Sequence, residues 1–244
     1  MWNYERRLQF PVKITQPNAK LAQVIISQYG GPDGEMGASM RYLSQRYAMP
    51  YNEVAGLLTD IGTEELAHLE MVATIVHQLT KNLSMEEIEN SGFANYYVDH
   101  TIGIWPQAAG GVPFNANQFQ SKGDPITDLV EDMAAEQKAR STYDNILRLI
   151  HDQEVCEPIR FLRAREIVHF QRFGEAKRTY INKKFCFGFR EVSYVPFNRN
   201  RIVIYINDFN KNISNLLLIF YTQFLPNFNM IINYLHILYW LIGR

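Results

Sequence analysis

The sequence predicts an all-α four-helix bundle with a long crossover between its second and third helices. Three observations carry the prediction. Apolar residues recur at helical spacing in separate segments, one stretch rich in glycine and proline divides the helices into two pairs, and each helix sets a carboxylate on the face that ought to be apolar.

Pro17 to Tyr29 reads as a short helix that Gly30-Gly31-Pro32-Asp33-Gly34 breaks or redirects. The first bundle helix follows from about Asp33 to Tyr47, with Glu35 early in it. Pro50 ends the turn, and Tyr51 to Leu79 forms the long second helix. Ser84 to Asn90 gives one or two helical turns, with Ser84 and Glu87 at capping-box spacing. From Ser91 to Gly123 glycine, proline, asparagine and aromatic residues alternate, the signature of a long ordered crossover loop. Asp124-Pro125 opens the third helix, to about Ile150, since a helix start tolerates proline. Glu157-Pro158 opens the fourth, to about Lys177. Four helices with one long crossover form the ferritin-like arrangement.

The chain of 244 residues is 47% apolar and 20% charged, which suits a globular protein with a real core. A net charge of −1 asks for neither nucleic acid nor an anionic membrane. Cys156 and Cys186 are too few and too far apart for a disulfide framework or a cysteine metal site, so a reducing compartment is expected. Met1 to Arg7 lacks the apolar core of a signal peptide.

Composition changes after Arg178. Thr179 to Arg244 holds no alanine and only Glu191 and Asp208 as acids, and is dominated by Ile, Asn, Phe, Leu, Tyr and Lys, mostly residues of AT-rich codons. We expect residues 1–178 to form the bundle domain and 179–244 an atypical tail, translated by frameshift or read-through. A genuine appendage and a membrane anchor are the rival readings. Polar residues interrupt Leu216–Phe220 and Ile231–Ile242, so neither run reaches the ~20 apolar residues of a membrane span.

The chemistry lies in the gaps of the stripes. Val54, Leu57, Leu58, Ile61, Val72 and Ile75 share one face of the second helix, and Glu65 and His68 fill the gap between them. On the third helix Ile126, Leu129, Val130, Met133, Tyr143, Leu147 and Ile150 form the stripe, with Glu136 and Arg140 in the gap. On the fourth, Glu166 and His169 interrupt Ile159, Leu162 and Phe173. On the first, Glu35 shares a face with Tyr42, two turns on. A buried carboxylate costs several kcal/mol unless it is paired or binds a cation, and four converging carboxylates would also repel one another. A divalent metal pair removes both penalties. Residues three apart share a helix face, so each Glu-x-x-His can serve one cluster. A glutamate from each of two helices, with Glu-x-x-His from each of the other two, is the dinuclear carboxylate pattern. One Glu-x-x-His alone would mean little; two on apolar stripes, with Glu35 and Glu136 besides, mean a metal site.

The same reading places Glu64, Glu70, Glu131 and Asp132 in solvated surface ion pairs and makes Arg140 a salt-bridge partner of Glu136. Tyr42 is a hydrogen-bond donor beside the site or a packing residue. His77, His100 and His151 fall outside the pattern. Oxygen and imidazole donors suit manganese and iron alike, and the affinity series places manganese below iron.

The blocks WNYERRLQFPVKI, QYGGPDGEMGASMRYL, LLTDIGTEELAHLEMVA, YVDH, GGVPF, KGDPITDLVEDMAAEQKARSTYDNI and RFLRAREIVHFQRF resemble the manganese catalase family, and more closely its short branch in the spore coats of endospore-forming bacteria. The similarity covers residues 1 to about 176. It implies two manganese ions, iron being the lesser alternative, that convert two hydrogen peroxide molecules to water and dioxygen. By the resemblance Glu35, Glu65 and His68 hold one ion, while Glu65 bridges to a second held by Glu136 and His169, with Glu136 the other bridge. Glu166 matches a carboxylate that handles protons beside the metals, and Tyr42 a tyrosine near the first glutamate. Ala135 stands where some members carry an arginine guarding the substrate channel. The family also implies a homo-oligomer, with the N-terminal segment and the crossover as the expected interface, a cytoplasmic or spore-coat location, and other coat proteins as partners. A structural coat protein with a vestigial metal site and a diiron oxidase or peroxidase are the alternatives.

Overall fold

Entry into the first helix is set by Asn18, whose side chain accepts the Leu21 N–H at 3.1 Å and starts α1 (Ala19–Ile25). The predicted entry helix is divided at Ile26, and its last turn is α2 (Ser27–Gly30). In this computed structural model the described residues are 7–188, 192–198, 201–208 and 213–221. They fall into two units, Met1–Tyr180 and Ile181–Arg244. The expectation of no signal peptide rests mostly on residues 1–6, outside the described residues, as does Ile231–Ile242 of the tail.

The bundle helices of the first unit are α3 (Glu35–Gln45), α4 (Asn52–Thr80), α7 (Pro125–Leu149) and α8 (Gln153–Gly188). A 3-10 turn, Arg46–Ala48, ends α3. Between the pairs, α5 (Met85–Asn90) starts from the complete Ser84–Glu87 capping box, as its spacing predicts. The crossover is not all loop: α6 (Ala94–His100) and a 3-10 turn at Ala116–Gln118 lie within it. Tyr96 organises its middle, donating to the Gly103 carbonyl at 2.6 Å and accepting the Trp105 N–H at 2.7 Å. At its far end the Asp128 carboxylate accepts the N–H groups of Lys122 and Gly123, and Asp124 caps α7 with Pro125 at its first position.

α8 begins four residues before the predicted Glu157-Pro158. The Asp152 carboxylate accepts the Glu154 N–H at 2.9 Å and caps the helix there. Pro158 then sits in the second turn, where its missing N–H forfeits one helix bond, that to the Glu154 carbonyl.

Two glycines permit close approaches near the future site. A Cβ on Gly30 would meet the Pro106 backbone at 2.4 Å, so the crossover lies directly on the end of α2. A Cβ on Gly62 would lie 2.8 Å from Leu43 Cγ, so α3 rests against α4 one turn before Glu65. The core follows the predicted stripes. Met71, Val72, Ile75 and Leu79 of α4 pack with Ile146, Ile159, Leu162 and the α1 residues Ala22 and Ile25. Val54, Leu58, Ile61, Leu129 and Phe173 are buried on the other side of the stripe gaps, while Val130 is exposed. A polar layer is thus set between apolar layers along the helices.

The all-α expectation describes the first unit, where the described residues form helices, turns and one isolated bridge between Gln107 and Pro113. The second unit carries an element that was not anticipated: β1 (Val192–Asn198), β2 (Arg201–Asp208) and β3 (Ile213–Tyr221) form an antiparallel sheet in that order. The alanine-free, β-branched and aromatic composition that marks the tail also favours strands. Among the described residues, no helix is long and apolar enough to cross a membrane.

Candidate metal centre

The stripe gaps of four helices meet. Glu35, at the first position of α3 where the helix dipole favours an anion, is buried, as are Glu65 and His68 of α4, Glu136 of α7, and Glu166 and His169 of α8. Ligating atoms of Glu65, His68, Glu166 and His169 all lie within 4.8 Å of one another. Glu65 is central: its Oε2 is 2.8 Å from His68 Nδ1 and its Oε1 is 2.6 Å from His169 Nδ1. Glu35 joins through His68 Nδ1 at 3.9 Å, and Glu136 through His169 Nδ1 at 3.5 Å. The two imidazoles lie nearly parallel, 5.5 Å apart. Glu166, expected outside the ligand set, brings an oxygen into the same cluster.

Two tyrosines close this side. Tyr42 of α3 donates its hydroxyl to Glu136 of α7, and Tyr143 of α7 donates to Glu35 of α3. The partner of Tyr42 is therefore Glu136, across the bundle, and not Glu35 on its own helix. Tyr143, read in the sequence as one more apolar-stripe residue, is its counterpart.

On the other side stands Glu64, which the sequence reading sent to a solvated surface pair. Its side chain is only 15% exposed. Arg165 of α8 grips both its oxygens, at 2.7 and 3.2 Å, and Gln9 donates to Oε1 at 2.6 Å. Its oxygens face the outer nitrogens of both imidazoles, His169 Nε2 at 3.1 Å and His68 Nε2 at 3.6 Å; the first is a hydrogen bond, the second a longer electrostatic contact. Its i,i+4 relation to His68 was the available signal. Asp132 is a second correction. It is buried near Arg41 and Gln45 of α3, because α7 turns that face inward one turn before Glu136. Glu131 does meet a charge, Arg41 Nε at 3.5 Å, and stays partly exposed. Arg140 pairs with Asp144 at 2.6 Å and with Gln137 instead of Glu136, whose oxygen Tyr42 takes.

Electrostatics in the cluster are those of a cation cage. Burial and the neighbouring Glu65 charge hold Glu35 well above the usual carboxylate range. Burial and the charges of Glu35, Glu136 and Glu65 do the same to Glu166. Burial alone would raise Glu65 too, but the two imidazoles pull it below its ordinary value. Burial disfavours charge on His169, yet Glu65, Glu136 and Glu64 overcome this and its pKa is pushed up to about 12. Protons thus do what a metal would do: they neutralise converging carboxylates. Burial and the adjoining carboxylates raise both tyrosines, which stay protonated donors.

The donors fit divalent metal. Glu65 Oε1, Glu136 Oε2, Glu166 Oε1 and His169 Nδ1 are buried without a hydrogen-bond partner. His169 Nδ1 and Glu65 Oε1, although 2.6 Å apart, are not aligned for a hydrogen bond. Four carboxylates and two neutral imidazoles balance two divalent charges.

Comparisons with known proteins agree with this geometry. Residues 1–187 match the family model of manganese-containing catalase. Protein CotJC of Bacillus subtilis (strain 168) is 53% identical over 176 residues, 72% of this chain and 93% of that protein. A probable manganese catalase of Clostridium acetobutylicum is 33% identical over 216 residues, 86% of this chain and 95% of that one. Among solved structures, KatB, a manganese catalase from Anabaena, superposes with a TM-score of 0.68 at 30% identity, over 73% of this chain and 80% of its own. Buried carboxylates and imidazoles at the meeting of four helices and these likenesses lead to one conclusion: the chain belongs to the manganese-containing catalase family and is a catalase-like protein.

Proposed function

We propose that this chain binds two manganese ions through Glu35, Glu65, His68, Glu136 and His169, with Glu166 beside them, and disproportionates hydrogen peroxide to water and dioxygen. The observation that carries the reading is the buried cluster of Glu65, His68, Glu166 and His169, whose unpartnered atoms face one another. When bound, the manganese pair supplies two-electron redox chemistry, reducing one peroxide to water and oxidising the next to dioxygen.

The chain's own residues prepare that chemistry. Glu65 reaches both imidazoles, so one carboxylate can serve both ions. Tyr42 and Tyr143 each occupy one oxygen of Glu136 and Glu35, which orients the other oxygen inward. Glu166 Oε1 is buried and unpartnered, and burial beside other carboxylates favours its protonated form. It is placed to give its proton to a departing water and to recover one from the next peroxide. The apolar layers on both sides of the cluster keep bulk water out. Ala135 puts no guanidinium before Glu136, so entry of peroxide rests on other groups.

We place this chemistry in residues 1–178 and read residues 179–244 as an atypical tail; the family match ends at residue 187 and the CotJC likeness spans 176 residues, while the likeness to the Clostridium acetobutylicum protein, over 86% of this chain, runs into it. We further place the protein in the spore coat as a homo-oligomer among coat proteins, on its likeness to CotJC. Metal analysis with an oxygen electrode tests the activity. Purified protein loaded with manganese is expected to carry two ions per chain and release dioxygen from peroxide, and Glu65→Ala to lose both. Manganese bound without gas would mark a structural role, and iron with a need for reductant would mark an oxidase or peroxidase.

A further inference from the structure

We infer that Glu64 is a positioning residue for the imidazole of His169, fixing its tautomer and orientation from outside the cluster so that Nδ1 is left for a metal. The inference rests on the manganese reading above and goes beyond the ligand set it names.

The geometry is that of an acceptor hydrogen-bonded to one ring and in longer electrostatic contact with the other. Glu64 precedes the bridging Glu65, so its side chain leaves α4 on the neighbouring face and passes behind the histidines. His169 Nε2 lies 3.1 Å from its Oε2 and His68 Nε2 lies 3.6 Å from its Oε1, while Nδ1 of each ring is turned to Glu65. A carboxylate only accepts, so His169, hydrogen-bonded to it through Nε2, keeps its proton there and leaves the Nδ1 lone pair for a metal. Outer carboxylates of this kind set ligand orientation and basicity in metal sites generally.

Glu64 is itself held. Arg165 donates to both oxygens, Nε at 2.7 Å and a terminal nitrogen at 3.2 Å, and Gln9 of the N-terminal segment adds a third donor at 2.6 Å. The helix partners are equivalent in sequence. α4 reads Glu64-Glu65-x-x-His68 and α8 reads Arg165-Glu166-x-x-His169, so opposite charges occupy the same place before each motif and meet behind the two rings.

Glu64→Gln separates this role from mere bracing. Oε1 receives the two shortest donors, from Gln9 and Arg165, so the single amide oxygen takes that place and the amide NH2 faces His169 Nε2. Donor then meets donor. His169 can relieve this by moving its proton to Nδ1, where it can no longer bind metal. In full-length protein titrated with manganese alone, Glu64→Gln is expected to weaken the ion held by His169 by about 10–100-fold. The metal content falls from two ions towards one, and the spin-coupled pair gives way to the six-line resonance of isolated manganese(II). Glu64→Asp keeps an acceptor-only group and is expected to retain two ions. Helix content by circular dichroism reports folding of each variant.

Two ions bound to Glu64→Gln with wild-type affinity, or Asp worse than Gln in folded protein, overturns the inference. If the amide variant does not fold, Glu64→Asp decides alone: two ions sustain the inference and one or none in a folded chain overturns it. A wild type that takes up no manganese overturns the proposed function, and this inference with it.

Discussion

On the α3 and α7 side of the metal centre, each carboxylate is held by a neutral hydroxyl from the opposite helix; on the α4 and α8 side, both imidazoles are backed by a charged carboxylate and an arginine. The first arrangement lies wholly inside, with Tyr42 and Tyr143 at 0% exposure. The second reaches the rim, where Arg165 is 27% exposed and Gln9 approaches from the N-terminal segment. The contrast follows from desolvation. A phenol can be buried with one donor and one acceptor satisfied, whereas a guanidinium has five N–H groups and is cheaper where some face water. Neutral donors therefore serve the interior carboxylates, and charged groups serve the rings that point outward.

Rising pH should break the charged side first. The folded pKa of His169, about 12, lies above its ordinary 6.5. Its contribution to metal-free stability is therefore complete below pH 6.5 and is lost as pH rises towards 12. The slope is at most about 1.4 kcal/mol per pH unit for each proton. Glu35 and Glu166, also raised, lose stability in the same direction from pH 4.5 upward. Metal-free protein should melt at falling temperature between pH 6.5 and 9. Manganese needs the same sites deprotonated, so the rise in melting temperature that it confers should grow over that window. A metal-free melting temperature that climbs with pH would contradict the electrostatics of the cage.

The neutral side is sharpened by Tyr42→Phe and Tyr143→Phe. Each leaves a buried carboxylate oxygen without its donor, an expected loss of about 1–3 kcal/mol in metal-free protein, measured by urea unfolding. Equal losses would show that the two hydroxyls are equivalent. The smallest effect is expected where the two sides touch, at Gly62. Its added methyl in Gly62→Ala would press on Leu43, a side chain that can yield, for about 1 kcal/mol in the same measurement. A larger loss, with weakened manganese uptake, would mean that the spacing of α3 from α4 sets the cage.

Much of this centre was legible because burial and helical period act together. Glu65, His68, Glu166 and His169 interrupt apolar stripes, and only a cation or protons can justify such interruptions. Tyr143 was hidden by the same logic, since a tyrosine continues an apolar stripe and nothing in the period marks its hydroxyl. Its clue was a repeat: Glu35 and Tyr42 are seven residues apart, and so are Glu136 and Tyr143. Glu64 and Asp132 were misread because a charged residue just off the stripe is normally solvated. The N-terminal segment reaches Glu64 through Gln9, and Asp132 lies beside Arg41 and Gln45 of α3, which bond in turn to crossover carbonyls, long-range contacts that no local pattern announces. The early start of α8 was hidden by Pro158, whose usual place at a helix start outweighed the weaker signal of Asp152.

The seven-residue stagger makes α3 and α7 a pair of matched rulers. Because the helices exchange Tyr–Glu bonds in both directions, sliding one along the other would stretch both links together, and no shift relieves one at the expense of the other. A single residue inserted between Glu136 and Tyr143 would swing the phenol by about 100° around the axis and carry it off Glu35. Helix length between these landmarks is therefore not free to drift, however tolerant the loops at either end may be.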